Sequence, residues 1–328
     1  MKPQMLFFEN VDVCYKPDLA NVIHFPNLIL DTAFNWFKNK KQQHFFKVAI
    51  MFKKGDDLRQ DRLTLQLLAV MDRLWKEDEG LDLRLNIYNC MATGINEGLI
   101  QVVDEAETVC KIQMRHAEKL NFWQLKSYAA LKKGLILAWL KGHNRSVESM
   151  KIAQEEFTKS CAGYCVATYI LGIADRHNDN IMVRKNGQVF HIDFGHFLGN
   201  YKHKFGIKRE RVPMVLPAEF VEVIRVNDFG NVDNFEVFRQ LCEKAYLAIR
   251  RRAHLIISLL SLMISTGLPE LNSDQDLNIV RTTLHLDSAS EQEAIEVFRK
   301  DFNESLRNSW KISFNWWFHI VNQMYSKG

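Results

Sequence analysis

The chain has 328 residues, of which 47% are hydrophobic and 25% charged, and its 43 basic and 39 acidic side chains leave a net charge of +4. That balance excludes a disordered tail as the main content and gives no whole-chain positive field for nucleic acid. No apolar run approaches the ~20 residues of a membrane-spanning helix, and Met1 to Phe8 lacks the charged, apolar and small-residue order of a secretory signal.

Met5 to Phe8 is a short apolar run, and Phe45 to Phe52 (FFKVAIMF) is a stronger strand bounded by Lys-Gly-Asp. From Asp57 to Trp75 the period changes. Leu63, Leu67, Met71, Leu74 and Trp75 recur at helical steps, and Asp56 or Asp57 suits the N-terminus. Leu83 to Tyr88 and Leu99 to Val103 are further strand candidates around a Thr-Gly turn. Trp123 to Leu140 and Ser149 to Ile173 are long helical segments. A hairpin follows, Ile181 to Val183 and Val189 to Ile192, turned by Lys185-Asn186-Gly187. A Lys-, Arg- and Gly-containing loop runs from Gly195 to Pro217, and helices continue to about Met324. The six Cys form no disulfide framework. Cys161 and Cys165 have helical rather than metal-ligand spacing, and reduced core thiols fit the cytosol. The expected fold is α+β and two-lobed. A small β-rich N-lobe covers 1–103, with 12–44 as an insert of no clear period, and a larger α-helical C-lobe covers 104–328.

The residues that carry chemistry lie around the hairpin. Asp175-Arg176-His177-Asn178-Asp179-Asn180 follows a helix, and Asp193-Phe194-Gly195 follows the returning strand. Asp, an Asn five residues later and a DFG after a hairpin form the arrangement that kinases use for phosphoryl transfer. One carboxylate positions or deprotonates a hydroxyl, while Asn180 and Asp193 suit Mg²⁺ beside a triphosphate. Lys53 ends the strong strand, and Asp61 on the next helix is the expected partner for its amine.

GDDLRQD, SCAGYCVATYILGIADRHNDNIMV, FHIDFGHFLGN and FGIKRERVP resemble the catalytic domain of class I phosphoinositide 3-kinases, from about Phe45 to the C-terminus. The resemblance implies a fold related to protein kinases, with ATP and Mg²⁺ between the lobes. It implies Asp175, His177 and His196 as catalytic candidates together with Lys53, and leaves open which of the first three takes the proton. Asn180 and Asp193 would hold metal. Gln101 and Val103 would meet adenine, with Tyr88, Ile100, Met182 and Ile192 as pocket walls. The family usually has an acidic residue where Gln101 stands.

Lys202, Lys204, Lys208 and Arg209 lie in the loop after the DFG, and two basic clusters suit two ring phosphates. In the resembling family this pattern accompanies use of phosphatidylinositol 4,5-bisphosphate as acceptor at its 3-hydroxyl. Phe314, Trp317, Val321 and Met324 share a helical face, which Trp316 and Ile320 widen. The resemblance makes Trp316, Trp317 and Phe318 membrane contacts, with phosphoinositide lipids as partners. It further implies an SH2-containing regulatory subunit in the full-length protein, growth-factor-type signalling, and a cytoplasmic location with recruitment to the inner face of the plasma membrane. Nucleic acid is not an expected partner. Lys2-Pro3-Gln4-Met5-Leu6 departs from the family's phosphate-covering loop, residues 12–44 exceed its usual strand connection, and Ala174 stands where Gly is usual. These departures bear on ATP binding and not on the fold. The family's full catalytic subunits also carry adaptor-binding, Ras-binding, C2 and helical domains, none of which is read in these 328 residues, so the chain is expected to be a catalytic fragment. The alternatives are a related phosphatidylinositol or protein Ser/Thr kinase, or a catalytically impaired membrane- or partner-binding fragment.

Overall fold

The computed structural model describes residues 4–8, 48–117, 134–200, 203–204, 207–208, 213–225, 234–287 and 290–309. The expectations for 12–44, for 123–133 and for the C-terminal tail fall outside these residues.

A four-stranded antiparallel sheet of order β1-β2-β4-β3 opens the chain, from β1 (Gln4–Phe8), β2 (Val48–Lys54), β3 (Cys90–Gly94) and β4 (Glu97–Gln101). Between β2 and β3 runs α1 (Arg59–Glu79), closed by Gly80 at a left-handed φ of 62°. Its N-cap is Leu58, and Asp57 accepts the Arg59 N–H at 3.1 Å. The α1 stripe of Leu63, Leu67, Leu68, Met71 and Trp75 is buried. Trp75 Nε1 donates to Ala245 O at 2.8 Å, which pins α1 to the helices of the second half.

The segment Leu83 to Tyr88 is not a strand. Arg84 adopts a left-handed φ of 52°, which breaks the pleat. Side chains satisfy this backbone instead: Gln188 Nε2 donates to Arg84 O at 2.6 Å and Tyr164 Oη donates to Asn86 O at 2.7 Å.

A second sheet, β5-β6-β7, joins β5 (Ala106–Thr108), β6 (Ile181–Arg184) and β7 (Val189–His191). The β6–β7 turn needs its glycine. Gly187 has φ 97°, and a Cβ there would stand 1.9 Å from Ala153 O. The helices are α2 (Val109–Ala117), α3 (Leu135–His143), α4 (Val147–Ile170), α5 (Ala218–Arg225), α6 (Asn234–Arg251), α7 (Ala253–Met263), α8 (Asn278–Thr283) and α9 (Glu291–Arg307). A capping box between Ser146 and Ser149 starts α4. Residues 160–170 are buried on every side, so α4 is the axis of the helical half. Around it Tyr246 stacks on Phe298 at 4.5 Å, and Phe238 and Phe302 extend the aromatic cluster. The buried apolar residues of α1, α4, β6, β7 and α6 form one continuous core. Among the described residues, no helix is long and apolar enough to cross a membrane.

Candidate active site

The catalytic-loop candidates leave α4 through two left-handed residues, Gly172 at φ 55° and Asp175 at φ 56°. Ala174 is not left-handed, so its Cβ meets no backbone penalty. This loop runs beside the segment after the DFG. Leu198 N donates to Leu171 O at 2.9 Å, Gly199 N to Gly172 O at 3.0 Å and Ala174 N to His196 O at 3.0 Å. Those three bonds set Asp175 beside the chain that carries Asp193 and His196.

Arg176 organises the centre. It is buried, and its guanidinium donates to Ala174 O at 2.9 Å, to Ile192 O at 2.7 Å and to Asp193 O, with a longer contact to Asn180 O at 3.5 Å. Its head also lies 5.4 Å from the Phe194 ring centre. One cation thus ties the backbone of the Asp175–Asn180 loop to that of Ile192 and Asp193. Charge-assisted bonds of this kind are worth about 1.5–3 kcal/mol each, which suits a loop that must hold its shape. Asp193 itself is left-handed at φ 60°, a conformation that its neighbours must sustain.

The donor set fits a hard cation. Asn180 Nδ2 donates to Asp175 O at 3.0 Å, which leaves Oδ1 as its remaining polar atom. The Asp193 carboxylate is exposed and has no hydrogen bond or ion pair among the described residues. Mg²⁺ typically takes one or two protein oxygens and completes its shell with phosphate and water, so two oxygen donors suffice. His177 stands 3.8 Å from Asp175 Oδ2, and its Nδ1 accepts the Asp179 N–H at 3.2 Å.

The expected Lys53–Asp61 pair does not form. Lys53 Nζ meets Asp56 Oδ2 at 2.5 Å. Burial lowers the Lys53 pKa, yet the Asp56 bond and the charges of Asp193, Asp56 and Asp61 outweigh it and raise the value above the ordinary one. Asp61 turns instead to the DFG and accepts the Phe194 N–H at 2.9 Å. Burial pushes its carboxyl up to about 6; the Phe194 bond and Lys53 oppose this, and Asp193 adds to it. From the same helix turn Gln60 Nε2 donates to Phe194 O at 3.0 Å. Both backbone polar groups of Phe194 are therefore held by α1.

Just after β4, Val102 N donates to Ala49 O at 2.9 Å. The Val103 N–H makes no hydrogen bond among the described residues, which leaves a donor for a flat base. The Gln101 side chain is engaged within the protein. Its Oε1 accepts from Asn89 N at 3.0 Å and Asn89 Nδ2 at 2.9 Å, tying β4 to the segment before β3. Ile100, Met182 and Ile192 are half-buried against the core. Tyr88 is only 5% exposed and packs edge-on to Phe190 at 6.3 Å, so its ring is core more than wall.

The basic loop is described only in part. His203–Lys204 (β8) pairs with Ile207–Lys208 (β9), which brings the backbones of Lys204 and Lys208 into one short ladder. Lys202, Arg209, Trp316, Trp317 and Phe318 lie outside the described residues. Sequence reasoning missed Gln60, Asp56 and Glu270 as residues that shape the site, along with the organising bonds of Arg176. It also missed a relay from Asn178 through Gln113 to Glu219, with bonds of 2.8 and 2.6 Å. Arg176 had a local signal in its place between Asp175 and His177, and Asp56 and Gln60 had one in the GDDLRQD motif; Glu270, Gln113 and Glu219 had none.

Residues 47–273 match the family described as phosphatidylinositol 3- and 4-kinase. Over 269 residues the chain is 48% identical to phosphatidylinositol 3-kinase 3 of Dictyostelium discoideum, a match covering 82% of this chain and 15% of that protein. Over 277 residues it is 44% identical to phosphatidylinositol 3-kinase 1 of the same organism, covering 84% of this chain and 17% of that protein. The chain thus spans a small part of these relatives' length. The matched region encloses Lys53, the Asp175–Asn180 loop and Asp193, and with it this chain belongs to the phosphatidylinositol 3- and 4-kinase family.

Proposed function

We propose that the chain transfers the γ-phosphoryl group of ATP to the 3-hydroxyl of phosphatidylinositol 4,5-bisphosphate at a membrane surface. The observation that carries this reading is the Arg176 hub, which ties the backbone of Ile192 and Asp193 to the loop of Asp175 and Asn180, whose Nδ2 donates to Asp175 O. Lys53, held by Asp56, supplies a cation for the nucleotide phosphates. Val103 N–H suits the adenine edge. Asn180 and Asp193 would hold Mg²⁺, which supplies neutralisation of the phosphate charge. Asp175, His177 and His196 are the candidates to receive a hydroxyl proton, while the fixed loops align the acceptor. In a loose phosphoryl-transfer transition state, alignment and charge dominate over proton removal.

The bisphosphate reading is supported by the basic pattern Lys202, Lys204, Lys208 and Arg209 following the DFG. Membrane contact through Trp316, Trp317 and Phe318, an SH2-containing regulatory partner, growth-factor-type signalling and recruitment to the inner face of the plasma membrane complete the proposal, as do the lobe limits 1–103 and 104–328. The two relatives named above are each called a phosphatidylinositol 3-kinase, which supports the ring position. Radiolabelled ATP with mixed phosphoinositide vesicles, followed by head-group analysis of the product, tests it. A 3-phosphorylated product that disappears in Asp193→Asn is expected. Phosphate at the 4-position, or turnover that survives Asp193→Asn, overturns the assignment.

A further inference from the structure

We propose that Glu270 is a positioning residue that fixes the tautomer and orientation of His196 for the transfer step. The proposal rests on the phosphotransfer reading of the site.

Glu270 is 74 residues from His196 and belongs to the turn after α7. Its Oε1 lies 2.9 Å from His196 Nδ1. Its Oε2 accepts the Phe197 N–H at 2.6 Å and a longer contact from Gln60 Nε2 at 3.3 Å. The turn is held on both sides. Leu268 and Leu271 are buried and bridge each other, and Arg59 donates to Thr266 O at 3.3 Å and Gly267 O at 3.2 Å. Glu270 is thus fixed by α1 and by the core, independently of the DFG segment.

The partners decide the proton position. A backbone N–H and an amide NH₂ can only donate, so Glu270 faces them as an acceptor. A carboxylate offers His196 an acceptor too, which puts the imidazole proton on Nδ1. Nε2 then carries the lone pair. It makes no hydrogen bond among the described residues, and the ring is about a third exposed. In the transfer step the acceptor hydroxyl gives its proton to Nε2. The oxygen's electron pair forms the new P–O bond, and the electrons of the broken P–O bond leave with ADP. Glu270 stabilises the imidazolium that results. The same logic governs a carboxylate behind a catalytic imidazole, where an amide in its place selects the wrong tautomer.

Glu270→Gln is the informative variant. Its single oxygen can keep the Phe197 and Gln60 bonds, so the turn stays anchored. Its NH₂ then faces Nδ1 and donates, which moves the proton to Nε2. Two measurements test this. Long-range ¹H–¹⁵N correlation of His-labelled protein, with the His196 signal assigned by its loss in His196→Ala, should show Nδ1–H in the wild type and Nε2–H in Glu270→Gln. Turnover should fall at least about tenfold with the ATP KM within about twofold, and the double variant should be no slower than His196→Ala alone. An unchanged tautomer overturns the proposal, and so does wild-type turnover in Glu270→Gln. Failure of the function reading has a different signature, since turnover is then absent from the wild type while the tautomer measurement still tests Glu270.

Discussion

Glu219→Gln isolates a buried carboxyl that the Asp175–Asn180 loop leans on through Asn178 and Gln113. Glu219 lies in the first turn of α5, and its Oε2 accepts the Gln113 Nε2–H at 2.6 Å. Gln113 Oε1 in turn accepts from Asn178 Nδ2 at 2.8 Å. Burial pushes the Glu219 carboxyl up from 4.5 to about 7; the Gln113 bond opposes this, and the charge of Glu222 adds to it. Between those two values the native state binds more protons than the unfolded chain. The stabilisation from the protonated form is therefore complete below about pH 4.5 and is lost as pH rises through about 7. At about 1.4 kcal/mol per pH unit the full shift is worth about 3 kcal/mol, of which about 2 kcal/mol disappears between about pH 5.5 and 8.5. Gln has no charge to bury, and its oxygen still accepts from Gln113. Urea unfolding followed by tryptophan fluorescence, on both proteins at the two pH values, reads the difference. The variant should gain about 2 kcal/mol on the wild type from the lower pH to the higher. A gap that stays constant within about 0.5 kcal/mol, near the error of such extrapolations, refutes the reasoning.

Three further outcomes follow from the site. Asp56→Asn removes the Lys53 partner at a half-exposed position, so the ATP KM should rise about two- to fivefold with kcat unchanged; steady-state kinetics decide it, and a kcat loss at constant KM counts against this role. Gly172→Ala places a Cβ 2.7 Å from Gly199 N at a left-handed φ, so stability should fall by about 1–3 kcal/mol in thermal melts; an unchanged Tm would show that the two loops part freely. Neutralising Lys208 and Arg209 together should lower turnover of phosphatidylinositol 4,5-bisphosphate far more than of phosphatidylinositol, and equal losses on both lipids contradict the two-phosphate reading.

Much of the architecture was legible because it is written in local periods. The α1 stripe, the long α4 and the Asn-Gly hairpin each depend on residues within a few positions of one another. Leu83 to Tyr88 misled for the same reason. Its alternation suits a strand, but the left-handed Arg84 and the side chains of Gln188 and Tyr164 take its carbonyls instead. Asp61 also misled: its charge invites Lys53, but burial and the Phe194 N–H claim the carboxylate.

The sequence by itself determined the chemical inventory of this protein: a Lys at a strand end, an Asp and an Asn five residues apart, and a DFG after a tight hairpin. The Asp, the Asn and the DFG are close along the chain, so covalent connection already limits where they can go, whereas Lys53 reaches them only through the fold. The tertiary structure alone decided what holds them. Gln60 reaches Phe194 across 134 residues and Glu270 reaches His196 across 74. Such pairs leave no periodic or local trace. Each depends on the packing of a common core, which alone sets the distance between helices remote in sequence and selects which polar groups must find one another when water is excluded.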